Sequence, residues 1–166
     1  MTQITEGSIK RKCSDNVDKE KCKFWISLLE KSDRKTDLFN NVITISKSTG
    51  PETGIGKSGV RLGYIGNRDK TWVQLCINSP GNIEKTKKMY EDLLAKSWEI
   101  DKKYPELKIV WKPIEKDPTN SRLILSYSNK GYVADKDKWD EIQDDLVDRM
   151  VKFEKIFKDW ILEYKG

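Results

Sequence analysis

The sequence contains no histidine in 166 residues, and this absence excludes several kinds of catalytic site. Ser-His-Asp and Cys-His nucleophilic sites, zinc sites with histidine ligands and nucleases with a histidine general base all require that side chain. Any catalysis would have to use carboxylates, lysine, tyrosine, serine or cysteine. We expect no catalytic residues, no metal site and no cofactor.

Cysteine is also scarce, with Cys13, Cys22 and Cys76 as the only three. Their number is odd and they form no Cys-x-x-Cys pair, so we expect neither a disulfide framework nor a zinc site. No stretch approaches the ~20 apolar residues of a membrane span, and the first residues lack the apolar core of a signal peptide. The sequence therefore predicts a protein of the reducing cytoplasm that does not bind membranes.

Charged and aromatic residues are plentiful. Charged residues make up 36% of the chain, six Trp, six Tyr and four Phe argue against disorder, and the net charge is +5. This charge permits contact with nucleic acid without requiring it. We predict a flexible basic arm over residues 1–14 and a single domain over residues 15–166.

The rest of the chain is organised around a C-terminal stripe of apolar residues. Its members recur in steps of three or four, which predicts one amphipathic helix over residues 135–165 with Asp135 as its N-cap. They are Trp139, Ile142, Leu146, Met150, Phe153, Phe157, Trp160 and Tyr164. At roughly 46 Å the helix would exceed the ~40 Å diameter of such a domain. An overhang would leave Trp160, Ile161 and Tyr164 as apolar surface for a partner.

The remaining elements predict an α+β fold. Helices are expected over residues 15–31 and 82–104, with Asp15 and Asn82 as N-caps. Strands are expected over 42–45, 60–65, 71–77, 107–111 and 122–127, where Leu123, Leu125 and Tyr127 share one face. The order α-β-β-β-α-β-β-α favours an antiparallel sheet of about five strands, with three helices mainly on one face and the last one long.

Two motifs that could indicate an enzyme do not fit, one by its spacing and the other by its place in the predicted fold. The stretch from Gly50 to Ser58 resembles a phosphate-binding P-loop, but five residues instead of four separate Gly50 from Gly56, and a strand pattern follows it. The Asp-x-Lys triplets of a restriction-type nuclease start at Asp33 and Asp101, and neither lies on a predicted strand.

Acidic residues gather in the first half of the long helix. Asp140, Asp144 and Asp148 share one face at four-residue spacing, which could hold a divalent cation. The simpler interpretation is that acids near the helix start and lysines near its end complement the helix dipole. We therefore interpret this cluster as structural.

The candidates for nucleic-acid contact are basic residues in the arm, the Gly-rich loop and the strands. They are Lys10, Arg11, Lys12, Lys57, Arg61 and Arg122. Each has the alternative of being a solvated surface charge. Trp25, Trp72 and Trp111 could stack on bases, with the hydrophobic core as their alternative place.

Several motifs together resemble an uncharacterised prokaryotic domain family. They are Phe24-Trp25 with Leu28, Leu38-Phe39-Asn40, the loop from Gly54 to Val60, Ser121-Arg122-Leu123, and the helix motif from Trp139 to Phe157. The resemblance covers about residues 22–160. Members of this family of unknown function often lie C-terminal to restriction-endonuclease-like nuclease domains. The resemblance implies genome defence or DNA processing, and it brings no catalytic residues.

These observations predict a non-catalytic accessory or specificity module that binds nucleic acid, DNA above all, through basic loops. The first alternative is a protein-interaction module that docks a nuclease partner or a second copy of itself. The second alternative is a metal-dependent nuclease that the sequence motifs do not reveal.

Overall fold

A five-stranded antiparallel sheet forms the centre of the domain. The computed structural model describes residues 9–79, 81–113 and 121–165. The strands, in the spatial order β3-β4-β5-β7-β6, are β3 (Glu52–Gly54), β4 (Val60–Gly66), β5 (Thr71–Ile77), β7 (Arg122–Tyr127) and β6 (Val110–Pro113). Each neighbouring pair is antiparallel. The predicted α+β class and the antiparallel five-stranded sheet are confirmed.

Helices pack on one face of this sheet. The described residues contain α1 (Lys19–Asp33), α2 (Ile83–Leu94), α3 (Ser97–Lys103) and α4 (Trp139–Glu163), and α4 is the longest at 25 residues. Short 3-10 turns at Pro105–Leu107 and Lys136–Lys138 precede β6 and α4. No described helix is both long enough and apolar enough to cross a bilayer.

Strand register divides the sheet into two faces. On the inner face, Leu62 lies opposite Leu75, which lies opposite Ile124, and these three side chains are fully buried. They join one hydrophobic core with the helices. The opposite side, called the outer face below, carries the alternate residues of each strand because successive side chains of a strand point to opposite sides.

The apolar stripe of α4 supplies much of this core, as predicted. Five side chains of the predicted stripe are fully buried: Ile142, Leu146, Met150, Phe153 and Phe157. Beyond them, Ile161 is the fully buried side chain, whereas Trp160 and Tyr164 are half-buried. Trp139 begins the helix and its ring lies 5.2 Å from that of Phe24 on α1. At 25 residues, α4 is about 37 Å long, which the domain can accommodate without an overhang.

Two strands differ from the predicted ones in their pairing. The expected strand at residues 42–45 is reduced to β2 (Thr44–Ile45), which pairs in parallel with β1 (Lys12–Cys13) outside the main sheet. Its place at the sheet edge is taken by β3, which comes from the Gly-rich stretch. Of the predicted flexible arm, residues 1–8 lie outside the described residues. Its last residues are paired, with Lys12 donating to Ile43 and Ser14 to Ile45.

Helix starts and one helix end also differ. Asp18, not Asp15, caps α1 by accepting from Lys21 N at 3.0 Å, whereas Asn82 caps α2 as predicted. Asp135 lies before the 3-10 turn and accepts from Tyr132 N at 3.2 Å, so it does not cap α4. The helix expected over residues 82–104 is two helices, because the chain turns at residues 95–96 without a glycine or proline to signal it.

The absence of disulfides expected from the cysteine count is wrong. Cys13 and Cys22 form a disulfide between β1 and α1, with a separation of nine residues, and Cys76 is free and buried. Three cysteines can form one disulfide and leave one free thiol. An odd number of cysteines therefore excludes a network in which every cysteine is paired, but it does not exclude a single disulfide. The bridge ties the basic N-terminal segment to the domain.

Removing this bridge by replacing Cys13 and Cys22 with serine is expected to lower the free energy of unfolding by about 2–3 kcal/mol. The unfolded chain regains the freedom that a closed loop of this length loses. Urea unfolding measures the change. Thiol titration of the denatured protein should find one reactive thiol before reduction and three after, and three before reduction would show that the bridge is absent.

Candidate functional site

Two of the predicted nucleic-acid contacts are buried in the fold. The Arg11 side chain is 1% exposed and donates to the carboxylate of Asp33 at 2.7 and 3.0 Å. It also donates to the backbone oxygens of Phe39 and Val42. Arg122 lies on the inner face and is 5% exposed. The Arg11 guanidinium therefore holds parts of the fold together, and both arginine side chains are withdrawn from solvent.

A third candidate, Lys57, is engaged at the end of the chain. Its Nζ donates to the backbone oxygen of Tyr164 at 2.7 Å and lies 5.9 Å from the centre of that ring. With Lys85, Lys88 and Lys165 it lines an open basic cavity beside the start of α2. The other three candidates, Lys10, Lys12 and Arg61, are exposed.

The predicted partner surface at the end of α4 is largely covered. Ile161 is fully buried, while Trp160 and Tyr164 are half-buried and their rings stack 4.8 Å apart. The Tyr164 hydroxyl donates to Asp92 at 2.6 Å. Burial, and then this hydrogen bond, raises the pKa of Tyr164 to about 12. The end of α4 is therefore held against α2, and Ile161 offers no surface to a partner.

The outer face of the sheet is the most distinctive open surface. Three rows of side chains cross the strands there. The first row is Arg61, Cys76, Leu123 and Lys112; the second is Glu52, Gly63, Gln74, Leu125 and Val110; the third is Ile65, Trp72 and Tyr127. Among the described residues, none of these side chains belongs to the core cluster that packs against the helices, although Leu125 and Cys76 are themselves buried, at 2% and 7% exposed. The described helices therefore cover one face of the sheet. The other face is exposed at Arg61 and Lys112 and half-buried at Trp72 and Tyr127.

The third row carries two aromatic rings on neighbouring central strands. Trp72 on β5 and Tyr127 on β7 are half-buried, and their ring centres are 5.4 Å apart. The indole Nε1 of Trp72 donates to Gln74 at 3.1 Å, which fixes the orientation of the indole. The ammonium of Lys70, an exposed residue, lies 5.1 Å from the Tyr127 ring centre and covers that ring face.

Positive charge borders this face, and the excess of negative charge lies on helix α4. Arg61 and Lys112 end the first row, and Lys70 stands beside the third. Glu52 is the one carboxylate among the strand residues of the outer face, and Lys47 and Arg61 approach it at 3.6 and 3.9 Å. Helix α4, on the other side of the sheet, carries eight carboxylates and four cations in its sequence.

The sequence indicated only part of this surface. Arg61 and Trp72 were candidates, and Leu123, Leu125 and Tyr127 do share one face, but that face is the outer one. In strand β7 the outer positions are all apolar or aromatic, whereas the inner ones are Arg122, Ile124 and Ser126, so its alternation points to the wrong side as the one that meets the helices. Trp25 is fully buried and Trp111 packs against Phe157 with ring centres 6.3 Å apart, which leaves Trp72 as the open one of these three.

The carboxylates considered for catalysis in the sequence lie on three different helices. Asp140 and Asp144 both accept from Lys31 Nζ, at 3.1 and 3.0 Å. Asp33 ends α1 in its pair with Arg11, and Asp101 lies within α3. Burial raises the pKa of the Cys76 thiol, which keeps it protonated. Over the described ranges, no three His, Cys, Asp or Glu side chains are grouped so that they could hold a metal ion.

Comparison with known proteins adds one match. The sequence model of the family described as "Domain of unknown function (DUF4268)" matches residues 21–161. The chain belongs to the DUF4268 family. No curated protein and no solved structure matches it.

The DUF4268 match extends over nearly the whole fold. It begins within α1, ends within α4 and includes all five strands of the main sheet, so the outer face lies entirely inside the matched residues. Strand β1 and Tyr164 lie outside it. The disulfide therefore joins a residue before the match, Cys13, to one inside it, Cys22.

Proposed function

We propose that this DUF4268 domain is a non-catalytic accessory or specificity module of prokaryotic DNA processing or genome defence, and that it binds nucleic acid through the outer face of its sheet. The observation that carries the proposal is the separation of charge between the two sides of the sheet. Cations border the outer face, whereas α4 on the other side has an excess of carboxylates. The proposed role in DNA processing rests on the resemblance and on the association with nuclease domains that it implies.

This charge distribution suits a polyanion that approaches from one side. Lysine and arginine bind phosphates and release condensed counterions, which drives association with nucleic acid. An excess of acids on the far side repels the same polymer, so the domain would be oriented on it. The proposal keeps Arg61 from the predicted contacts and adds Lys47, Lys70 and Lys112. It leaves out Arg11 and Arg122, whose side chains are buried.

The affinity for a nucleic-acid oligonucleotide is expected to fall steeply as salt rises. Four neutralised phosphates give a slope of about −3 to −3.6 in a plot of log K against log salt. Replacing Arg61 and Lys112 together with glutamine should weaken binding at low salt and make the slope shallower by about 1.4–1.8, because two phosphate contacts are lost. Fluorescence anisotropy at a series of salt concentrations measures both quantities.

A matched pair of substitutions tests whether the outer face is responsible. Lys85→Gln with Lys165→Gln removes the same charge from the basic cavity beside α2. The proposal predicts wild-type affinity and slope for this variant. If the Lys85 and Lys165 variant has a shallower salt slope while the Arg61 and Lys112 variant keeps the wild-type slope, the cavity is the binding surface and the outer face is not.

A protein-interaction module is the second candidate, and one exposed aromatic side chain favours it. Trp98 on α3 is 70% exposed, with the ammonium of Lys102 4.9 Å from its ring centre. Tryptophan is enriched in protein interfaces relative to the rest of the surface. Light scattering on the pure protein separates the candidates. If the protein self-associates and Trp98→Ser abolishes this self-association, a second copy of the chain is favoured as the partner.

A further inference from the structure

We propose that the outer face takes single-stranded nucleic acid, with bases stacked on Trp72 and Tyr127. This inference rests on the proposed function and adds the class of its ligand. The two rings lie on β5 and β7, the third and fourth strands of the sheet, and their centres are 5.4 Å apart. Stacking of unpaired bases on aromatic side chains of an open sheet is a general mode of single-strand recognition.

The width of the sheet argues against the grooves of a duplex. Five strands at about 4.8 Å spacing make a surface of about 19 Å, whereas the major groove is about 12 Å wide and admits a helix or a two-stranded ribbon. The aromatic residues lie in the middle of this surface and not at an edge. In a duplex the flat faces of the bases are covered by their neighbours, so only an unpaired strand can present them to Trp72 and Tyr127.

The contacts of the two rings favour the stacking of bases on them. Because Gln74 holds the Trp72 indole through a 3.1 Å hydrogen bond, little side-chain freedom is lost when a base binds. Lys70 covers the open face of Tyr127. A base that stacks there displaces the ammonium, which has three donors for an adjacent phosphate.

The cations lie where a strand crossing the rings would carry its phosphates. Lys70 stands next to the aromatic row at the start of β5. The row of Arg61 and Lys112 lies four residues further along the strands, about 14 Å away. A short single strand that passes over Trp72 towards Cys76 would therefore meet positive charge at both ends.

A second copy of this chain fits the same face less well. Pairing two outer faces would bring the cations of one copy against those of the other, with Glu52 as the one carboxylate among the strand residues of each face. Like charges that face each other destabilise an interface. A polyanion meets no such repulsion.

Three labelled probes test the inference on the full chain: a twelve-residue oligothymidine, a twelve-residue oligouridine and a twelve-base-pair duplex. We expect the single strands to bind about tenfold or more tightly than the duplex at low salt. Trp72→Leu, and separately Tyr127→Leu, should weaken single-strand binding by about 5- to 150-fold with an unchanged salt slope. Unequal affinity of the two single strands would assign the site to DNA or to RNA.

Trp98→Leu, which removes an exposed tryptophan elsewhere, is the control and should leave binding unchanged. Equal affinity for the duplex, with no effect of either substitution, would overturn the single-strand inference and leave nucleic-acid binding intact. Failure of all three probes to bind would overturn the proposed function itself. The comparison of probes with the unmodified chain holds even if one variant fails to fold.

Discussion

Replacing Gly50 with alanine is expected to lower the free energy of unfolding by about 3 kcal/mol or more. Gly50 has φ +130°, a conformation that residues with a Cβ rarely adopt, and a Cβ there would lie 1.9 Å from the backbone oxygen of Tyr64. That oxygen belongs to β4 in the middle of the sheet and cannot move aside as a flexible side chain can. The strand or the loop would have to shift.

Gly54→Ala is the matched control for this prediction. Gly54 lies on the same Gly-rich stretch, but a Cβ added there meets no atom within 4 Å. Its urea unfolding midpoint should stay near that of the wild type, with an unchanged dependence on denaturant. If Gly50→Ala unfolds at the same midpoint as Gly54→Ala, the close approach of this loop to β4 is wrong.

Replacing Arg11 with methionine is expected to cost about 3 kcal/mol of stability, because it leaves the partly buried carboxylate of Asp33 without its partner. The pair is held by two short hydrogen bonds, and the Asp33 side chain is only 20% exposed. The backbone oxygens of Phe39 and Val42 also lose a donor. Arg11 joins β1, the end of α1 and the segment before β2.

Two variants show whether the Arg11 loss comes from the buried pair. Lys10→Met, at an exposed neighbour, should change the free energy of unfolding by less than about 0.5 kcal/mol. Adding Asp33→Asn to Arg11→Met should recover part of the loss, because the unpaired charge is gone. Full stability of Arg11→Met, measured by urea unfolding, would mean that Arg11 is a surface cation available for ligands, as the sequence alone suggested.

The sequence predicted best those elements whose pattern is long and regular. The apolar stripe of α4 and the hairpin of β4 and β5 follow from side-chain periodicity. Strand β3 and the β1–β2 ribbon are two or three residues long, and they exist because a partner strand lies beside them. Such pairing is tertiary information that a local pattern does not contain.

The sequence predicted only some residues of the outer face, because strand register decides which residues lie there. Arg61 and Arg122 looked alike in sequence, each within a strand, yet the register places one on the outer face and the other inside. Lys70 and Lys112 had no distinguishing local pattern. Only the alignment of β4, β5, β7 and β6 brings the cations and the rings of Trp72 and Tyr127 onto one surface.

Backbone amide NMR during titration with the twelve-residue oligothymidine tests nucleic-acid binding by the outer face most directly. Shift changes are expected at Trp72, Gln74 and Tyr127, and at the indole N–H of Trp72, because these side chains lie on the outer side of the central strands and are not fully buried. Changes confined to α4 or to the cavity of Lys57, Lys85 and Lys88, or no changes at all, would contradict the account.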